Sequence, residues 1–207
     1  MNHFITGTDT GVGKTYCTAL LTKSLRNAGF DTVAVKPICC GERTDVAILR
    51  SAGGNELSLS EVNPVWLEAP AAPLVAARME NRTVEIAPLR EWFTQVRGNR
   101  KSVLVEGAGG WLVPINETQS VADLAVALDL SVVVVVANRL GCLNHALLTV
   151  ESIRARGLEC AGLILNTLSA DTSVAQLTNR DLLQELCKTP ILFEVGPDES
   201  SLDLQVA

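Results

Sequence analysis

The densest chemistry in the chain sits near its start, in Gly7-Thr8-Asp9-Thr10-Gly11-Val12-Gly13-Lys14-Thr15. A short β-compatible run precedes this segment and a helical pattern follows it, the context that a phosphate-binding loop requires. Gly11 and Gly13 allow backbone angles that turn several N–H groups onto one anion. The helix N-terminus adds partial positive charge, Lys14 supplies a mobile ammonium, and the Thr15 hydroxyl can ligate magnesium. Thr8 holds the place of the motif's first glycine, so the loop reads G-x5-G-K-T rather than G-x4-G-K-T. The pattern points to a nucleoside triphosphate and is silent about the reaction.

Two motif differences narrow the nucleotide and the class of phosphate-loop protein. A guanine-reading box is Asn-Lys-x-Asp after a strand, and the stretch at that place, Asn138-Arg139-Leu140-Gly141, lacks the aspartate; ATP is favoured. Partition and septum-site ATPases carry a signature lysine five residues before the loop lysine, where this chain has Asp9.

Ligands of an open parallel sheet sit beyond the carboxyl ends of its strands, and three more ionisable residues are expected there. Lys36 ends a strand run, with Pro37 behind it biasing its backbone toward an extended form. Glu106 ends the run Val103-Leu104-Val105-Glu106, where a phosphate-loop ATPase places the acid that holds magnesium. Asp45 opens a helical pattern after Lys36. Magnesium takes octahedral oxygen ligands and keeps waters, so Thr15, Asp45, Glu106 and phosphates make a complete set. Lys14 and Lys36 are expected near the surface of the cleft.

The elements that must carry these residues alternate. Strand patterns cover Asn2–Thr6, Thr32–Lys36, Ser102–Glu106, Ser131–Ala137, Cys160–Asn166 and Ile191–Val195. Helical patterns cover Lys14–Ala28, Asp45–Ala52, Ala72–Met79, Ala87–Val96, Val121–Leu128, Asn144–Arg156 and Val174–Cys187. This order predicts an α/β fold of the phosphate-loop NTPase type, a mostly parallel central sheet flanked by helices, with residues 1–207 forming one domain. The run SVVVVVA lacks polar alternation and reads as a central strand covered on both faces. Gly53–Pro73 is expected to be irregular because Pro64, Pro70 and Pro73 break any helix. The last ten residues show little pattern and are expected to fray.

Composition supports this frame. The 207 residues are 47% apolar and 19% charged, which excludes a disordered or fibrous chain. A soluble chain of this size buries roughly 70% of its unfolded surface. With four Phe, three Trp and one Tyr, the core must come from Val, Leu, Ile and Ala. Seventeen Lys and Arg against 23 Asp and Glu, a net charge of −6, argue against a nucleic-acid surface. No charged segment leads into an apolar stretch at the N-terminus, and the longest apolar run, Val132 to Ala137, is too short to cross a bilayer. The six cysteines (Cys17, Cys39, Cys40, Cys142, Cys160, Cys187) form no C-x-x-C pair, and only His3 and His145 could join them as ligands. Buried reduced thiols in a cytoplasmic protein are the expectation, with no zinc site.

Together these residues resemble the dethiobiotin synthetases, the ATP-dependent cyclo-ligases of biotin synthesis. The matching blocks are TGTDTGVGKT (Thr6–Thr15), AVKPI (Ala34–Ile38), NPVWLEAPAAP (Asn63–Pro73), LVEGAGGWLVP (Leu104–Pro114) and RLGCLNHALLT (Arg139–Thr149). The resemblance implies that 7,8-diaminononanoate, CO2 and ATP-Mg2+ become dethiobiotin through a carbamate and a carbamic–phosphoric anhydride, with release of ADP and phosphate. It implies that Thr10, Gly11, Val12, Gly13, Lys14, Thr15 and Tyr16 hold the phosphates and that Lys36 and Lys14 are catalytic. By the same resemblance Glu106, Gly107, Ala108 and Gly109 contact nucleotide and substrate amines. Asn166, followed by Thr167 where an aspartate is common, reads adenine. Cys40 stands where the family usually has a substrate-contacting serine. Gly141, Cys142, Leu143, Asn144 and His145 open a helix whose free N–H groups receive the far carboxylate of the substrate, in a pocket completed by a second subunit of a homodimer. Within that segment Cys142 is expected as a packed, inert thiol, and His145 in a capping or packing role rather than as a base.

Overall fold

The structure, a computed structural model, describes residues 2–168, 173–202 and 204. In chain order its strands are β1 (Asn2–Gly7), β2 (Thr32–Val35), β3 (Ile38–Cys40), β4 (Val65–Leu67), β5 (Ser102–Glu106), β6 (Ser131–Ala137), β7 (Cys160–Asn166) and β8 (Ile191–Val195). The helices are α1 (Lys14–Asn27), α2 (Thr44–Ala52), α3 (Leu59–Val62), α4 (Pro73–Met79), α5 (Ile86–Arg97), α6 (Val121–Leu128), α7 (Cys142–Ala155) and α8 (Val174–Cys187). Six strands form one sheet in the order β2-β5-β1-β6-β7-β8, and every pairing in it is parallel. The six strand patterns read from the sequence are these six strands, and SVVVVVA occupies an interior position with six of its seven residues buried.

Parallel crossovers lay helices over both faces of a sheet, so the interior of its strands is mostly apolar. Phe4, Val103, Leu104, Val105, Val132 and Leu163 are among the residues with no exposed surface. Gly107 lets the chain turn tightly after β5, because a Cβ there would meet Val121 Cγ1 at 2.9 Å and the Phe4 ring at 3.0 Å.

Two expectations fail. Residues 53–73 are not irregular: they contain α3 and β4, and β4 pairs with β3 in a two-stranded parallel ladder. A reciprocal cap starts α3, in which the Ser58 hydroxyl accepts from Glu61 N–H and the Glu61 carboxylate accepts from Ser58 N–H at 2.7 Å. Pro64 and Pro70 fall between the elements and Pro73 opens α4, a position where a missing N–H breaks no helical bond. The chain end does not fray as far as Leu202, which is buried and donates its N–H to Ser24 Oγ at 2.8 Å. Residues 203 and 205–207 of the expected tail lie outside the described residues. Smaller shifts also occur: β2 stops at Val35, because Lys36 N–H donates to Val62 O at 2.8 Å, and α7 begins at Cys142 rather than Asn144. Among the described residues no helix is long and apolar enough to cross a membrane.

Candidate active site

Because β1, β2 and β5 are parallel, their carboxyl ends open onto one edge. Register places Ile5 beside Glu106 and Val35 beside Val105, so Lys36 comes up next to Glu106. There the side chains meet. The Lys36 ammonium donates to Glu106 Oε1 at 2.7 Å, and the Thr15 hydroxyl donates to the same oxygen at 2.8 Å. Lys36 also pairs with Asp45 Oδ2 from the first turn of α2. Lys36, Glu106, Thr15 and Asp45 are therefore one cluster, as the sequence reading required.

The cluster is deeper than expected. Lys14 and Lys36 are 7% and 6% exposed and Glu106 is fully buried, so the lysines lie within the cleft rather than at its rim. The cause for Lys36 is a roof of chain from 62–65: Asn63 Nδ2 donates to Lys36 O at 2.9 Å and to Val65 O at 2.8 Å. Burial opposes the charge on Lys36, but the attraction of Glu106 and Asp45 outweighs it and holds the ammonium's pKa above its usual value. For Lys14 burial wins over the attraction of Glu106, and its pKa lies below the usual lysine range. Lys14 makes one long bond, to Asp9 O at 3.4 Å. An anion over the loop offers it a better partner.

These groups line a cavity of about 630 Å³. Thr10, Gly11, Gly13, Lys14, Thr15 and Tyr16 form one side, Lys36, Asp45 and Glu106 the floor, and Ala108, Gly109 and Val113 a further wall. Pro70, Ala71, Ala72 and Pro73 face them with Cys39 and Cys40. The sequence reading matched 63–73 to the family as a block but did not place 70–73 on the cavity wall. Cys40 is half-buried on the wall, where burial and the neighbouring Cys39 push its thiol up to about 11.

Other expected residues sit differently. Val12 is buried and does not line the cavity. Gly107 is buried behind the cavity wall. Asn166 is 1% exposed and donates its amide to Val12 O at 2.9 Å, bracing the loop from beneath. Gly13 must be glycine there: its φ is +87° and a Cβ would stand 2.1 Å from Asn166 Nδ2. Thr167 donates its N–H to Val195 O at 2.8 Å, joining the ends of β7 and β8. Tyr16 turns its hydroxyl away from the loop, to Glu199 O at 2.7 Å and Gly196 O at 3.4 Å.

The segment Gly141, Cys142, Leu143, Asn144 and His145 does not line this cavity. Cys142 is packed, with its thiol pushed up by burial. His145 neither caps nor packs as expected: α7 has no side-chain cap, and the exposed imidazole borders a second hollow of about 410 Å³ with Thr8, Asp9 and Trp111. Leu112, Leu140 and Leu148 near it are 57%, 87% and 59% exposed.

A metal fits the donor set. Both hydrogen bonds to Glu106 use Oε1, leaving Oε2 buried with no partner. An unsatisfied carboxylate oxygen beside a threonine hydroxyl and a second carboxylate is an oxygen site suited to a hard cation.

The family model described as an AAA domain matches residues 2–203. A protein of Akkermansia muciniphila named ATP-dependent dethiobiotin synthetase BioD is 42% identical over 205 residues, 99% of this chain and 96% of that one. One of the same name from Ralstonia nicotianae is 44% identical over 187 residues, 84% of this chain and 82% of that one. Among solved structures, the MinC:MinD cell division complex of Aquifex aeolicus matches with a TM-score of 0.63 and 18% identity, covering 95% of this chain and 81% of that one. That likeness is one of fold.

Proposed function

Because the chain belongs to the ATP-dependent dethiobiotin synthetase family, a family of C–N bond-forming ligases, we propose that the buried cluster at the sheet edge is where its carbamate is activated and closed. The activity is ATP-dependent dethiobiotin synthesis. The observation that carries the site reading is the sharing of Glu106 Oε1 by Lys36 and Thr15, which ties the second lysine to the phosphate loop.

The chemistry needs no covalent nucleophile. One amine of 7,8-diaminononanoate adds to CO2, giving a carbamate and a proton. A carbamate oxygen takes the γ-phosphoryl group of ATP and ADP leaves. The second amine then attacks the carbamoyl carbon, the C–O bond to phosphate breaks, phosphate leaves, the amine gives up a proton, and the ring closes. Negative charge moves among oxygens at every step, so fixed cations and backbone N–H groups supply most of the catalysis. Lys14 leaves Asp9 O for the phosphates, and Lys36 bridges the carbamate and the transferring phosphoryl group. The raised pKa of Lys36 keeps it cationic throughout. Thr15, Asp45 and Glu106 would hold magnesium, the buried Glu106 Oε2 being the carboxylate oxygen still without a partner. When bound, the ion offsets charge on the β- and γ-phosphates. Asn166 and Thr167, at the end of β7, serve the adenine side.

A second copy of the chain completes the substrate pocket. Exposed Leu112, Leu140 and Leu148 beside the start of α7 support a homodimer in which Gly141–His145 faces the partner's cleft. Six free thiols fit a reducing cytoplasm. The test is release of phosphate and dethiobiotin from ATP, bicarbonate and 7,8-diaminononanoate. Folded protein that binds ATP and forms no ring-closed product with all three would reject the reading.

A further inference from the structure

Tyr16 makes a long-range contact that the proposed chemistry does not use. Its hydroxyl donates to Glu199 O at 2.7 Å and to Gly196 O at 3.4 Å, a separation of some 180 residues along the chain. The 196–199 turn is closed on itself by Gly196 N–H donating to Glu199 Oε2 at 2.8 Å. The turn follows β8 directly, and Val195 is joined to Thr167 at the end of β7.

Sheet order gives the contact a direction. The phosphate loop leaves β1 in the middle of the sheet. On one side, β5 and β2 deliver Glu106 and Lys36, where the phosphoryl group is transferred. On the other, β7 and β8 deliver Asn166, Thr167 and Gly196. A nucleotide whose γ-phosphate points at Lys36 must run its base toward that second side. Tyr16 lines the cavity next to Gly13 and Lys14. We infer that Tyr16 is a positioning residue: its hydroxyl fastens the 196–199 turn to the phosphate-loop helix as the outer wall of the base site, so that it governs affinity for the base without touching the transferred phosphate. The inference rests on the ATP reading above.

The experiment measures equilibrium binding of ATP and of inorganic tripolyphosphate, which has no base, by titration calorimetry. Removal of one such hydrogen bond in Tyr16→Phe should weaken ATP by about 2- to 10-fold and leave tripolyphosphate within about 2-fold. In turnover, KM for ATP rises while kcat at saturation holds. Glu199→Ala, which opens the turn, should reproduce this, and Glu199→Gln, which keeps an acceptor for Gly196 N–H, should restore it. Ser24→Ala loosens the same tail farther along α1, at Leu202 N–H, and should not change ATP affinity. Equal loss of ATP and tripolyphosphate in Tyr16→Phe would mean a general loosening of the loop and would overturn the inference, as would unchanged ATP affinity. Wild-type protein that binds tripolyphosphate and ATP equally would show that no base site exists. Failure of the wild type to bind either would remove the nucleotide reading itself, and the inference with it.

Discussion

Replacing Lys36 by Met removes the cation from a fully buried carboxylate. Glu106 then keeps the Thr15 hydroxyl as its one direct partner, while Asp45, with a side chain 44% exposed, is resolvated. Breaking a buried pair by deleting one member costs about 3–5 kcal/mol. The field of Lys14 on Glu106 places this case at the low end, about 3 kcal/mol. At about 2–4 °C per kcal/mol for a chain of this length, Tm falls by about 6–12 °C. Glu106→Gln is milder, about 2 kcal/mol, because Lys36 retains Asp45. In the double variant the buried carboxylate and its cation go together, and Lys14 loses the attraction of Glu106 along with the repulsion of Lys36, so the total cost should stay at about 2 kcal/mol, a coupling of about 3 kcal/mol. Urea unfolding of the four proteins measures this. Turnover behaves differently: all three variants should lose at least about 100-fold, because the double variant regains fold but not charge. Additivity of the two single changes within about 0.5 kcal/mol, or recovery of turnover in the double variant, would refute the picture of one buried ion cluster serving both fold and chemistry.

Further outcomes are expected. Gly13→Ala forces a side chain into left-handed backbone against Asn166, costing about 1–3 kcal/mol, and should abolish ATP binding; urea midpoints and calorimetry read both. Glu106→Gln should weaken the magnesium dependence of turnover, and an unchanged metal titration would contradict the ligand role. With its thiol near 11 against an ordinary 9.0, Cys40 should carry about 100-fold less thiolate at pH 7.5 than a free cysteine, and alkylate correspondingly slowly by mass spectrometry. Burial lowers the pKa of His3 below 6.5 despite Glu159 and its bond to Ser131. The unfolded chain therefore binds more protons in the window just below 6.5, and stability rises with pH through it; His3→Gln should flatten that slope in urea unfolding. Leu148→Asp should shift sedimentation toward monomer and raise KM for 7,8-diaminononanoate while ATP binding persists.

What the sequence disclosed follows from the physics of each element. Six strands were legible because strands buried on both faces leave unbroken apolar runs, as in Val132–Ala137. The meeting of Lys36, Asp45 and Glu106 with Thr15 was legible because parallel order alone sends strand ends to one edge. β3 and β4 were not, since three residues each carry no period and their pairing spans the chain between Ile38 and Val65. The depth of Lys36 was hidden for the same reason: its roof, Val62 to Val65, is a tertiary contact. Tyr16 read as part of the loop because its true partners, Gly196 and Glu199, lie at the far end of the chain. Asn166 likewise carried no sign that its amide braces Val12.

The central claim concerns the place of one nitrogen atom. A crystal structure with a non-hydrolysable ATP analogue, magnesium, bicarbonate and 7,8-diaminononanoate should put Lys36 Nζ within about 2.7–3.2 Å of both a carbamate oxygen and a γ-phosphate oxygen. An occupied site in which Lys36 stays locked on Glu106 and Asp45, out of hydrogen-bond reach of either ligand, would contradict the account.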